Sequence, residues 1–153
     1  EGWSVPAALE ALLEEFADFD AQSRSLLALT PPERLFQWGL FDRDPLPEWM
    51  RGRAVLLGDA AHPMPPFTGQ GAVMALEDAV VLGRCVAAFD EPDTALQRYQ
   101  SARYDRVNAV LAMSRARADL YFGDDPARQV RALAQGMAEL RTLYDYDVLN
   151  API

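Results

Sequence analysis

The chain has 153 residues, half of them hydrophobic, and a formal net charge of -9; this is one domain's length with enough apolar material to fold, and the charge argues against nucleic acid or an anionic membrane, which need clustered cations. All fourteen cations are Arg, which removes a Lys nucleophile or Schiff base, and the single cysteine, Cys85, leaves neither an internal disulfide nor a cysteine-built zinc site. No stretch has the length and apolarity of a membrane span and the start lacks a signal-peptide pattern, so a reducing, cytoplasmic setting is expected.

The opening "EGWSVPAALEALLEEF" begins in mid-pattern and without Met, as a fragment, a processed product or a split product would. Leu9, Leu12, Leu13 and Phe16 recur at helical spacing and predict a helix over 6–19, with Pro6 in its tolerated first turn. A second helix is expected over about 21–29. "TPPE" at 30–33 has capping-box spacing but equally suits a turn before a strand. "RLFQWGLF", 34–41, reads as that strand, with Phe36, Trp38 and Leu40 on one face. A proline-rich connection follows, then "RAVLLG", 53–58, a continuous apolar run of the kind found in a parallel strand buried on both faces.

From Gly71 to Phe89 the only charges are Glu77, Asp78 and Arg84, so this helix should be buried on most sides, with Cys85 as a structural thiol within it. "DEPD" at 90–93 breaks it, and a long Arg-studded helix is expected to about Phe122. "GDDP" stops that helix, and a last one is expected over about 126–143, before the tail "LYDYDVL". A helix buried all round normally lies against several strands, yet only two are convincing here, so the sequence is expected to lack part of its own core.

The densest chemistry lies in "LLGDAAHPMPPFTGQG", 56–71. Asp59 follows the 53–58 strand at its carboxyl end, where α/β sheets bind ligands, and an ionised carboxylate there would accept from sugar or polyol hydroxyls. Equally, it could cap the following turn through its own backbone. Pro63, Pro65 and Pro66 stiffen the next segment and remove three N–H donors. Gly69 and Gly71 then open the apolar helix, whose N-terminus offers unpaired N–H groups and partial positive charge to an anion. His62 has two readings, a structural hydrogen-bonding role or a general acid/base. One histidine beside scattered carboxylates makes no metal site, and neither a Lys-containing phosphate loop nor a serine elbow is present.

On "RGRAVLLGDAAHPMPPFTGQGAVMALEDAVVL", 51–82, the chain resembles the single-component FAD-dependent aromatic hydroxylases, the family of salicylate-hydroxylase-like and hydroxybenzoate-hydroxylase-like flavoprotein monooxygenases. These carry R-G-R, a strand, G-D-A-A-H, P-x-x-G-Q-G and an E-D-A helix, and about thirty consecutive positions fit. The resemblance implies an α/β fragment, mostly helical with a few strands, from the C-terminal portion of an FAD/NAD(P)-binding monooxygenase fold. It divides the chain into the end of a substrate-binding sheet region (1–50), a flavin-contacting strand, loop and helix (51–90) and a C-terminal helical region (91–153).

By the same resemblance, Asp59 would hold the ribityl chain of FAD, with Gly58 beside it among the cofactor-binding residues. Gly69, Gln70, Gly71, Ala72 and Val73 would present backbone groups to the pyrimidine edge of the ring, and Pro66 would sit where ring meets substrate. A preorganised helix tip suits the negative charge that reduced flavin carries at that edge. Phe36, Trp38 and Phe67 are candidates for a dry aromatic wall, though Phe36 more naturally packs into core. The family often has Asn near position 73, where Ala72-Val73-Met74 stands here; its G-x-G-x-x-G and D-G motifs are absent. The implied reaction reduces FAD with NADH or NADPH and hydroxylates a small aromatic substrate with dioxygen. The missing dinucleotide-binding region would come in cis or in trans, and the fragment alone would be inactive. Two alternatives stand beside this: a non-catalytic module that associates with a partner or with its own copies, and a flavin oxidoreductase or epoxidase of the same lineage.

Overall fold

The structure is a computed structural model that describes residues 3–123, 125, 127, 129–131, 141 and 143–153. Its elements are mostly helical with four short strands among the described residues. They fall into two compact units, Glu1–Leu40 and Phe41–Ile153.

In the first unit, β1 (Ser4–Pro6) pairs antiparallel with β2 (Phe36–Trp38), Ser4 opposite Trp38 and Pro6 opposite Phe36. The helix expected over 6–19 is therefore shorter: α1 spans Leu9–Glu15, and Pro6 is a strand residue. Proline has no N–H to give, which an edge position tolerates, and the ladder resumes with the Ala7 N–H donating to Leu35 O at 3.0 Å. Next, α2 (Ala21–Leu27) starts where Asp20 accepts from the N–H groups of Gln22 and Ser23 at 2.9 and 3.1 Å. "TPPE" resolves as a turn, a 3-10 segment over Pro32–Arg34 leading into β2. The strand read over 34–41 shrinks to three residues, and Phe36 does not pack inward. It is 42% exposed and Trp38 70%, because among the described residues the two strands form a sheet of their own, too narrow to bury either ring.

The second unit starts with the proline-rich connection and a tight hairpin, β3 (Met50–Arg51) against β4 (Ala54–Val55). The buried parallel strand expected over 53–58 is thus an antiparallel two-residue strand, with Ala54 and Leu56 exposed. Gly52 decides this. With φ at +57° it occupies the first position of a two-residue loop, where a glycine turns the chain straight back on itself. Gln100 pins the connection above it, accepting from Trp49 N–H at 2.8 Å and donating to Pro47 O at 3.1 Å.

The core is the seam between α3 (Gly71–Ala88) and α4 (Pro92–Tyr121). Phe89 leaves α3 in an extended conformation and Pro92 opens α4 at its first turn, as "DEPD" predicts. Tyr99, Arg103, Val107, Val110 and Ser114 form one buried stripe on α4 at steps of three and four. The opposing stripe on α3 is Met74, Glu77, Asp78, Val81 and Cys85. This corrects the expectation of burial on most sides: Leu76 and Val86 are 69% and 61% exposed, while the two acids are inside. The inversion has a cause on α4, whose Arg103 and Arg106 face those acids and make their burial tolerable. The last expected helix, 126–143, lies largely outside the described residues. At its end Leu143 joins the core, and past it the Tyr146 ring lies 3.7 Å from the Arg106 guanidinium. Among the described residues no helix is long and apolar enough to cross a membrane.

Candidate functional site

Asp59 sits in a 3-10 turn, Gly58–Ala60, closed by the N–H groups of Ala61 and His62 donating to Gly58 O at 2.8 and 2.9 Å. Gly58 is buried with φ at +59°, and a Cβ there would meet the Ala75 Cβ at 3.0 Å, so glycine is what lets the turn lie against α3. The Asp59 side chain does not cap its own turn. It is exposed and projects toward the start of α3, where a Cβ on Gly71 would lie 4.0 Å from its Oδ1 and 3.8 Å from Met64 Cγ.

The start of α3 leaves backbone donors without a partner among the described residues. Gly69 takes the left-handed conformation, φ +65°, with open space around it, and Gln70 starts the helix without a side-chain cap. The first intrahelical donor is Met74 N–H, to Gln70 O at 2.8 Å, so the N–H groups of Gly71, Ala72 and Val73 have no partner among the described residues. The carboxylate of Asp59 therefore stands beside this cluster of donors, separated from it by the position a Gly71 side chain would take.

Beneath lies a charge network that sequence reasoning missed. Asp78, fully buried on α3, accepts from His62 Nε2 at 2.6 Å and from Gly58 N–H at 3.1 Å on one oxygen, and from Arg103 Nε at 2.7 Å on the other. Arg103 also pairs with Glu77 at 2.8 Å, and Arg106 binds both oxygens of Glu77 at 2.7 and 2.8 Å. Burial pushes the Asp78 carboxyl up, but the hydrogen bonds from His62, Arg103 and Gly58 outweigh it and hold the group below the usual carboxylate range. An ionised Asp78 only accepts, so the proton of that short contact sits on His62 Nε2. His62 is 3% exposed, its ring lies tilted against Trp49 with centroids 5.4 Å apart, and its Nδ1 is buried without a partner among the described residues. The only sequence signal for this network was two acids inside an apolar helical run.

The proline segment is anchored from both sides. Arg43 Nη2 donates to Ala60 O and Ala61 O, each at 2.9 Å, and the Ser114 hydroxyl on α4 donates to Pro65 O. Pro66 opens a short 3-10 turn, Pro66–Thr68, and is exposed; Phe67, half-buried, packs on Tyr121 and Phe122 at 5.9 and 5.5 Å. Those two rings, at the end of α4, were not singled out from sequence. Trp38 belongs to the first unit, on β2. Among the described residues no three His, Cys, Asp or Glu side chains converge on a cation site.

Residues 17–114 match the model of a family described as FAD binding domain. The chain is 46% identical over 113 residues to the aurachin C monooxygenase/isomerase of Stigmatella aurantiaca, covering 74% of this chain and 30% of that protein. It is 40% identical over 118 residues to 3-hydroxybenzoate 6-hydroxylase 1 of Aquipseudomonas alcaligenes, covering 77% of this chain and 29% of that one. A solved salicylate hydroxylase–substrate complex superposes with a TM-score of 0.76 at 29% identity, over 97% of this chain and 37% of the other. The chain thus spans about a third of the length of the proteins it matches.

Proposed function

The chain belongs to the FAD-binding family of aromatic-ring hydroxylases, and from that premise we propose that it supplies the ribityl and isoalloxazine side of the FAD site in a cytoplasmic enzyme. That enzyme hydroxylates a small aromatic substrate with NADH or NADPH and dioxygen. The observation that carries the proposal is the juxtaposition of the Asp59 carboxylate with the bare N-terminus of α3 across the missing side chain of Gly71.

The residues present fit the cofactor. A ribityl chain needs hydroxyl acceptors, and Asp59 is an exposed carboxylate with no hydrogen bond to the described chain. The pyrimidine edge needs donors, and the N–H groups of Gly71, Ala72 and Val73 offer them; Gly69, whose own N–H is given to Pro66 O at 2.9 Å, and Gln70 would contribute backbone shape, with no Cβ at Gly69 or Gly71 to block approach. Val73 would act through its N–H alone, its side chain being apolar and exposed. Gly58 would shape the turn from below. When bound, FAD would supply electron transfer from the nicotinamide and activation of dioxygen.

The chain's own residues do the rest. The α3 tip holds fixed dipoles at the place where negative charge would collect, with no reorganisation during the reaction. Pro66 and Phe67 would wall the substrate and exclude water. His62, committed to Asp78, would hold structure instead of moving a proton. The adenine half of FAD would be held by a region supplied in cis or in trans. Exposed Leu76 and Val86 on α3 favour a second reading, association of this chain with a partner or with its own copies through that face.

The test is the complete protein purified with its flavin and mixed with NADH or NADPH, hydroxylated benzoates and labelled dioxygen. One labelled oxygen atom in the ring product, with NAD(P)H consumption stimulated by the aromatic, is the expected result. A colourless protein that consumes no NAD(P)H would leave only the association reading.

A further inference from the structure

The proposed site needs Asp59 beside the α3 tip, yet Asp59 is exposed and makes no bond of its own to the described chain. Its place is fixed one layer down. The turn that carries it is gripped at both ends by one oxygen of one buried carboxylate, Asp78, at 3.1 Å to Gly58 N and 2.6 Å to His62 Nε2. The other oxygen is locked to Arg103 Nε at 2.7 Å. Asp78 stands about two turns along α3 from Gly71, the residue that Asp59 faces.

Resting on the reading of Asp59 as the ribityl acceptor, we propose that Asp78 is a positioning residue for flavin binding. Through Gly58 and His62 it sets the separation between the Asp59 carboxylate and the donors of the helix tip. A buried, paired carboxylate gains little stability over a well-packed apolar side chain of similar volume. What it supplies, and an apolar residue cannot, is acceptor capacity aimed at two points of one turn and at an arginine on the next helix. The turn and the tip thereby share one rigid reference, since Asp78 belongs to the same helix as the tip.

A double-mutant cycle in the complete protein tests this, with FAD affinity read by flavin fluorescence on titrating the apoprotein and stability read by urea unfolding. Asp78→Asn is expected to weaken FAD binding about tenfold, the scale of one hydrogen bond to a charged group. In an Asp59→Ala background it should cause no further loss of affinity, while the urea midpoint falls equally in both backgrounds. If Asp78→Asn does not fold, His62→Ala and His62→Gln replace it. Alanine should weaken FAD, and glutamine, whose amide donates from nearly the same place as Nε2, should restore it, with both alike when Asp59 is absent. An affinity loss that is the same with and without Asp59, or a stability loss with affinity intact, overturns the positioning role. An Asp59→Ala variant that binds FAD normally removes the underlying reading and the proposal with it.

Discussion

Removing the Asp59 carboxylate in the complete protein separates a ligand-binding acid from a structural one. Its side chain caps no turn and accepts no bond from the described residues, so Asp59→Ala should leave the apoprotein's urea midpoint nearly unchanged. Its two oxygens could accept one or two hydroxyl bonds from the ribityl chain. At about 1.5–3 kcal/mol for each bond to a charged group, reduced because the site is open to water, the expected loss is about 2–4 kcal/mol of FAD binding. That is roughly 30- to 1000-fold in Kd, measured by titrating apoprotein with FAD and following flavin fluorescence. Asp59→Asn keeps one acceptor and loses the charge, so it should fall between wild type and alanine. A Kd within about twofold of wild type, or an apoprotein destabilised as much as its FAD affinity is weakened, would refute the reasoning.

Gly58→Ala should destabilise the apoprotein by about 2–3 kcal/mol, read as a lower urea midpoint, because φ is +59° and the new Cβ would press on Ala75 Cβ at 3.0 Å. Gly71→Ala should be neutral or slightly stabilising for the apoprotein, since its Cβ meets only ordinary contacts, yet it should weaken FAD by filling the space between Asp59 and the tip. A depressed Asp78 pKa means that its share of stability is fully present above the usual 3.8 and is lost as pH falls below that value through the folded one. Asp78→Asn should therefore flatten that part of the acid-unfolding profile, with the wild-type and variant curves converging in strong acid. Burial pushes the Cys85 thiol above its ordinary 9.0 despite Arg84 and Arg98, so it should resist a thiol reagent in the native protein and react on unfolding.

What was legible in the sequence was local in the chain. Asp59 and Gly71 lie twelve positions apart, and the glycines and prolines between them leave few ways to join a strand end to a helix start. The bounds of α3 and α4 were equally readable, because Gly71, Phe89, Pro92 and Gly123 mark the ends of two long runs. Illegible parts depended on partners far along the chain. Pro6 looked like a first-turn proline until its neighbours found residues 36–38, over thirty positions away, and a three-residue strand has no periodicity to read. Glu77 and Asp78 read only as two of the three charges in an apolar helical run, with nothing to assign them a role. Their burial follows from Arg103 and Arg106, which face them from α4 and whose pairing no pattern within α3 could announce.

The most direct measurement is a crystal structure of the complete protein with FAD bound. Asp59 is predicted to accept from a ribityl hydroxyl within about 3 Å, with the pyrimidine edge of the ring against the N–H groups of Gly71, Ala72 and Val73. A flavin whose ribityl chain passes far from Asp59, or whose ring turns another edge to the start of α3, would contradict the account.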